Sequence, residues 1–172
     1  MNRRVLFLLI IVLSTSLRGQ SIPRRLPESI VNDLNTRYAA WAFSQPFPAI
    51  QKQFRHEPNL YSPYCLWGDF DGNDSLDYAL QIFTTVHQST QLEWVVYLHQ
   101  HRSYQRYVLE TKGSDTPESG FYFLLCPAGS VGSGKRPDFR FPHDAIGVIY
   151  YATAGRAYYW SDGKFHQLQI AD

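Results

Sequence analysis

Residues 68–80 read GDFDGNDSLDYAL, with Asp69, Asp71, Asn73 and Asp77 at the first, third, fifth and ninth places of one short window. Side-chain oxygens recurring at alternate positions are what a hard divalent cation draws from a loop, with a backbone carbonyl filling one place between them. Ser75 stands at the seventh place, where that carbonyl is expected. Three carboxylates held so close repel one another unless a cation sits among them. The plainer reading is a solvated acidic turn whose aspartates cap backbone amides. The alternation favours the ion, read here as a chiefly structural Ca²⁺. Asp74 takes the sixth place, where glycine would make the sharp turn, and aspartate tolerates the left-handed conformation only at some cost.

Other chemistry along the chain is thinner. Gly129 to Lys135 imitates a phosphate-binding loop, but Arg136 follows where Ser or Thr should hold magnesium, and Pro137 opens no convincing helix. His99 and His101 share one strand face and read as a polar edge leading into a turn at Arg102 and Ser103. Ser130, His143 and Asp144 lack the local context of a nucleophile elbow. Asn73-Asp74-Ser75 is formally a glycosylation sequon. Tyr150, Tyr151, Tyr158, Tyr159 and Trp160 fall in neighbouring strand-like runs, and their outward members form a possible binding patch for sugar rings or a protein partner. Core packing is the competing account of these aromatics.

The acidic window resembles the DxDGxxD-type loop of FG-GAP and VCBS repeats, calcium-binding strand-loop-strand units. Gly68, Asp69, Phe70, Gly72 and Asp77 match that pattern; Asp71 replaces an asparagine, Asn73 an aspartate and Asp74 the second glycine. It departs from an EF-hand, because Leu80 stands where a bidentate glutamate is required. The likeness spans about a dozen residues and implies a calcium-type loop at 69–77, not a propeller, since propellers need several blades and this chain carries one such loop. More loosely, the whole chain resembles small exported bacterial proteins of unassigned function that carry a single loop of this kind.

The elements that must position the loop follow from periodicity. Ile30, Leu34, Tyr38 and Trp41 fall on one helical face after Pro27, which predicts a helix of about four turns ending before Pro46. From residue 64 onward, short runs rich in β-branched and aromatic residues predict strands: YCLWGDF, DYALQIFTT, LEWVVYLH, YQRYVLE, FYFLLC, AIGVIYYA, RAYYW and KFHQLQI. Asp162-Gly163 between the last two signals a tight hairpin. Residues 127–144 read as a long loop. The expected fold class is therefore α+β, an N-terminal helix packed on a mostly antiparallel β-sheet in a single domain.

Arg3 and Arg4 precede VLFLLIIVL and then small and polar residues, the form of a secretory signal peptide with a core too short for a transmembrane anchor. Residues 1–19 are expected to be that signal and 20–172 one globular domain. Without the first 19 residues, 13 basic side chains face 15 acidic ones, a balance near −2 that gives no electrostatic argument for nucleic acid. Export, to the periplasm or the exterior, makes a disulfide between Cys65 and Cys126 the expected state of the two cysteines. Closing that loop would stabilise the fold by roughly 4 kcal/mol. The functional expectation is a non-catalytic exported binding or interaction domain with a structural calcium loop, acting on a protein or glycan of the cell envelope or exterior. The alternative is a secreted hydrolase whose site forms only in three dimensions.

Overall fold

The computed structural model describes residues 25–56, 62–86, 89–114, 116, 118–133, 136–151 and 154–171; the expected signal segment lies outside them. Helix α1 spans Glu28–Arg37, followed by β1 (Trp41–Phe43), β2 (Gln45–Pro46) and helix α2 (Pro48–His56). Strands β3 (Cys65–Gly68), β4 (Asp77–Val86), β5 (Ser89–Gln100), β6 (Ser103–Gly113), β7 (Glu118–Ser119) and β8 (Phe121–Cys126) come next. The chain ends with β9 (Val131–Ser133), β10 (Arg136–Arg140), β11 (Ala145–Tyr150), β12 (Ala154–Ser161) and β13 (Lys164–Ala171).

These strands build two main antiparallel sheets. One has the order β1-β4-β5-β6 with β3 also paired to β4; the other has the order β13-β12-β11-β8. Their facing sides share one core. Leu66, Phe70, Ala79, Trp94, Val96 and Leu98 meet Phe123, Ile146, Val148 and Tyr158 from the second sheet. Such sheet-on-sheet packing lets alternate residues of each strand interdigitate. Burying a side chain of this size fully contributes about 1.5–3 kcal/mol.

The expected fold class is overturned. Among the described residues the molecule is essentially all-β, two short helices attached to a pair of stacked sheets, and the principal core lies between sheets. Strand β5 explains why one sheet is not enough. Residues 92–98 are buried without alternation, so both faces of this central strand must be covered. Trp94, Val96 and Leu98 point to the second sheet, while Val95 and Tyr97 meet Ile30, Leu34 and Tyr38 on the outer side.

The helix is also shorter than its periodicity predicts. Tyr38 is already extended (φ −118°, ψ 133°), and Trp41 pairs with Thr84 in β1. Both aromatics pack against the same outer cluster as Ile30 and Leu34, so an extended segment imitates a helical face. The eight strand-like runs correspond to β3, β4, β5, β6, β8, β11, β12 and β13, and Asp162 (φ 53°) and Gly163 (φ 75°) make the expected hairpin turn. Within 127–144, β9 and β10 pair with each other, where a loop was expected.

The disulfide is corrected as well. Cys65 and Cys126 are free thiols and are not close. Strand parity is the cause. Cys65 packs with the outer cluster of the first sheet, on the side opposite Leu66, and Cys126 packs with Phe141, Ala145 and Ala157 on the outer face of the second. Two stacked sheets, about 10 Å apart, stand between them. Burial pushes the Cys65 thiol up to about 12 and the Cys126 thiol up to about 11, which leaves both as poor nucleophiles.

Candidate metal centre

The loop that joins β3 to β4 is a hairpin connection closed by the pair Gly68 and Asp77. It brings Asp69, Asp71 and Asp77 together: one oxygen from each lies within 4.8 Å of the others, a group that can hold a metal ion. The loop backbone is built for this convergence. Gly72 (φ 77°) and Asp74 (φ 61°) both adopt the left-handed conformation, so aspartate does stand in for glycine at the sharp turn. A Cβ on Gly72 would lie 2.1 Å from His143 Cε1, so the turn has room for glycine alone.

Each carboxylate is also engaged by amides. Asp69 Oδ1 accepts from the N–H groups of Gly72 (2.9 Å) and Asn73 (3.0 Å), and Oδ2 from that of Asp74 (3.1 Å). Asp77 Oδ2 accepts from Phe70 N (2.8 Å) and Oδ1 from His99 N (2.7 Å), which ties the loop to the end of β5. Asp71 accepts from the backbone N–H (3.3 Å) and the side-chain Nδ2 (3.0 Å) of Asn73. From the second sheet, Asp144 accepts from Asp69 N (3.3 Å) and Ala128 N (3.1 Å).

Two of the five expected ligands stand differently. Asn73 turns its nitrogen toward Asp71 and the His99 carbonyl (2.7 Å), while its Oδ1 accepts from Ser75 N (2.8 Å). The three aspartates therefore form the core of the site, and Asn73 and Ser75 are tied to it through their N–H groups. An amide of this kind presents its oxygen after a half-turn about its last bond.

The electrostatics are one-sided. Burial drives the Asp77 carboxyl up to about 7, against the pull of the His99 and Phe70 amides, and the charges of Asp71 and Asp69 push the same way. Asp71 is raised too, first by burial and also by Asp69. A cation bound among the three would favour the ionised form of each, and an all-oxygen donor set suits a hard ion.

The other expected residues do not assemble. Tyr158 is buried in the core between the sheets, Trp160 packs on its edge with Tyr107 and Phe165, and Tyr159 stacks on His166 on the opposite face. Only Tyr150 and Tyr151 of that set are largely exposed, so the five make no single patch. Ser130 Oγ donates to the Pro127 carbonyl (2.6 Å) and the Asp144 carboxylate binds amides; these contacts occupy both as structural groups.

One polar constellation has no local signal in the sequence. The Tyr38 hydroxyl donates to Glu93 Oε2 (2.6 Å), and Arg106 Nη2 donates to the same oxygen (3.1 Å) and to the Tyr38 oxygen. The three come from α1's C-terminal end, β5 and β6. Only strand pairing brings them together. Comparison with protein-family models, with curated proteins and with solved structures returned no match.

Proposed function

We propose that the protein is a non-catalytic exported binding or interaction domain whose β3–β4 loop holds a structural Ca²⁺. The observation that carries the metal half of this reading is the convergence of three carboxylate oxygens within 4.8 Å in a strand-loop-strand unit. Calcium is the ion of choice because the converging donors are carboxylate oxygens only, the ligands a hard cation prefers. The role is structural because Asp77 already fastens the loop to β5 and Asp144 fastens it to the second sheet. An ion at the same point would stiffen one joint between the sheets. The signal-like form of the N-terminal sequence and the loop's likeness to FG-GAP and VCBS units support an extracytoplasmic setting, where millimolar calcium makes a weak site effective.

Binding to the folded form alone raises stability by mass action, about 2.7 kcal/mol when free calcium is about 100 times Kd. For a chain of this size that is a rise in Tm of about 5–10 °C. The test is thermal unfolding in chelator and in millimolar calcium, for the wild type and for Asp71→Ala. The reading predicts a rise for the wild type that the variant loses. A calcium-independent wild type, or an equal rise in the variant, makes the stretch an acidic turn.

A further inference from the structure

We infer that calcium at the acidic loop latches the connection between β8 and β11 onto the outer face of the second sheet, through the Asp144 carboxylate. This rests on the calcium reading above and gives the ion a regulatory consequence: when it leaves, the roots of that connection loosen.

The connection carries β9 and β10, which pair with each other, and it lies over a sheet face. Phe141, 2% exposed, packs with Ala145 and Ala157, and the Phe139 and Phe141 rings both meet Tyr159, at 4.9 and 6.0 Å between centres. Two backbone bonds draw the roots of the connection together. Gly129 N–H donates to the Phe141 carbonyl (2.8 Å), and Phe141 N–H to the Ser130 carbonyl (3.2 Å).

Asp144 joins these roots to the acidic loop. Its Oδ1 accepts from Ala128 N (3.1 Å) beside Gly129, and its Oδ2 from Asp69 N (3.3 Å). The Asp144 N–H in turn donates to the Asp69 carbonyl (3.2 Å). A Cβ on Gly68 would lie 2.8 Å from Asp144 Oδ2, so the close approach of the two segments depends on glycine there. Asp69 therefore faces two ways. Its carboxylate is one of the three that converge, and its main chain holds Asp144 through both N–H and C=O.

The double role of Asp69 couples the ion to the connection. Without a cation, repulsion from Asp71 and Asp77 pushes the Asp69 carboxylate away from them, which draws its main chain off Asp144. A bound cation reverses that force and holds the residue where both bonds to Asp144 are made. The ion favours the latched state, and linkage requires the converse: the latched chain binds calcium more tightly than the released one, by the same factor. Asp144 is not one of the three converging carboxylates; it is a positioning residue that acts through Asp69.

The experiment is amide hydrogen exchange of the full chain with and without saturating calcium, beside equilibrium dialysis for bound metal. The amides to follow are Gly129 and Phe141, whose bonds involve none of the three aspartates. The Tyr151 amide, bonded to the Gly120 carbonyl past the far end of β11, is the comparison. Calcium should slow Gly129 and Phe141 about tenfold more than Tyr151. Asp144→Ala should still bind the ion, about tenfold more weakly, and calcium should then slow the three amides alike. Asp144→Glu keeps the charge but misplaces the oxygens by one methylene, so it should behave as Asp144→Ala does. A glutamate variant that binds calcium as tightly as the wild type, beside a weakened alanine variant, makes the effect one of charge and overturns the latch. Equal slowing of the three amides in a wild type that holds one ion also overturns it and leaves the calcium site standing. A wild type that binds no calcium removes the site and the latch together.

Discussion

Asp77 and Glu93 are both carboxylates withdrawn from water, at 0% and 6% exposure, yet their surroundings differ in charge. Glu93 has a resident cation, Arg106 at 3.1 Å, and a phenol donor at 2.6 Å. Asp77 has two backbone N–H groups and, as its nearest charges, two more aspartates. Partial dipoles offset part of the cost of burying a charge, while a full opposite charge offsets more. The Tyr38–Glu93–Arg106 cluster is electrostatically complete within the chain, and the acidic loop is short of a cation. That difference is the physical ground for placing an ion at the loop and not at Glu93.

The sharpest way to break the comparison is to remove the resident cation. Arg106→Leu leaves Glu93 buried and uncompensated and should cost about 3–5 kcal/mol in urea unfolding, with the Arg106→Leu/Glu93→Leu double variant recovering much of it. A single variant within about 1 kcal/mol of wild type would show that water, not Arg106, compensates Glu93. The loop should be strained next. Gly72→Ala forces a side chain into a left-handed turn and against the His143 ring, and should cost about 3 kcal/mol. Replacing His143 by Ala in the same chain should return the steric share. Gly163→Ala shares the conformation, φ 75°, but meets nothing within 4 Å; it should cost only about 1 kcal/mol. Equal costs at the two glycines would mean that His143 does not press on the loop.

The pH dependence tests the acidic loop more finely. Asp77 in the folded chain titrates near 7 against an ordinary value of 3.8, so between those values the folded state holds a proton that the unfolded state has lost. Its contribution to stability is greatest below the unfolded value and falls as pH rises through the folded one. In calcium-free buffer, the urea midpoint of the wild type should decline from pH 4 to pH 7 relative to Asp77→Asn. Calcium should offset the decline, because the ion displaces the same proton and binds more tightly as pH rises. Parallel profiles for wild type and Asp77→Asn would place the titration elsewhere.

What the sequence revealed was local. The acidic window and its strands are contiguous, so alternate spacing alone placed three carboxylates around one point, and Asp162-Gly163 announced its own turn. Residues brought together by pairing across long separations stayed hidden. Tyr38, Glu93 and Arg106 meet only because β5 and β6 pair and the segment after α1 folds over them. The number of sheets depends on which strands pair, which no strand states by itself. Cys65 and Cys126 misled because a disulfide needs strand parity as well as compartment, and parity sent them to opposite outer faces. The Tyr and Trp runs failed as a patch for the same reason, since alternation divided them between a core and a far surface.

The central claim, that the acidic loop lacks one cation and takes a calcium ion to supply it, is tested most directly by counting ions. Equilibrium dialysis of the purified chain against calcium, with bound metal measured per chain, should find one ion on the wild type and on Arg106→Leu. Asp71→Ala and Asp77→Asn should each retain none at the same free concentration. Retention of no calcium by the folded wild type at millimolar concentration, or equal retention by the two aspartate variants, would contradict the account.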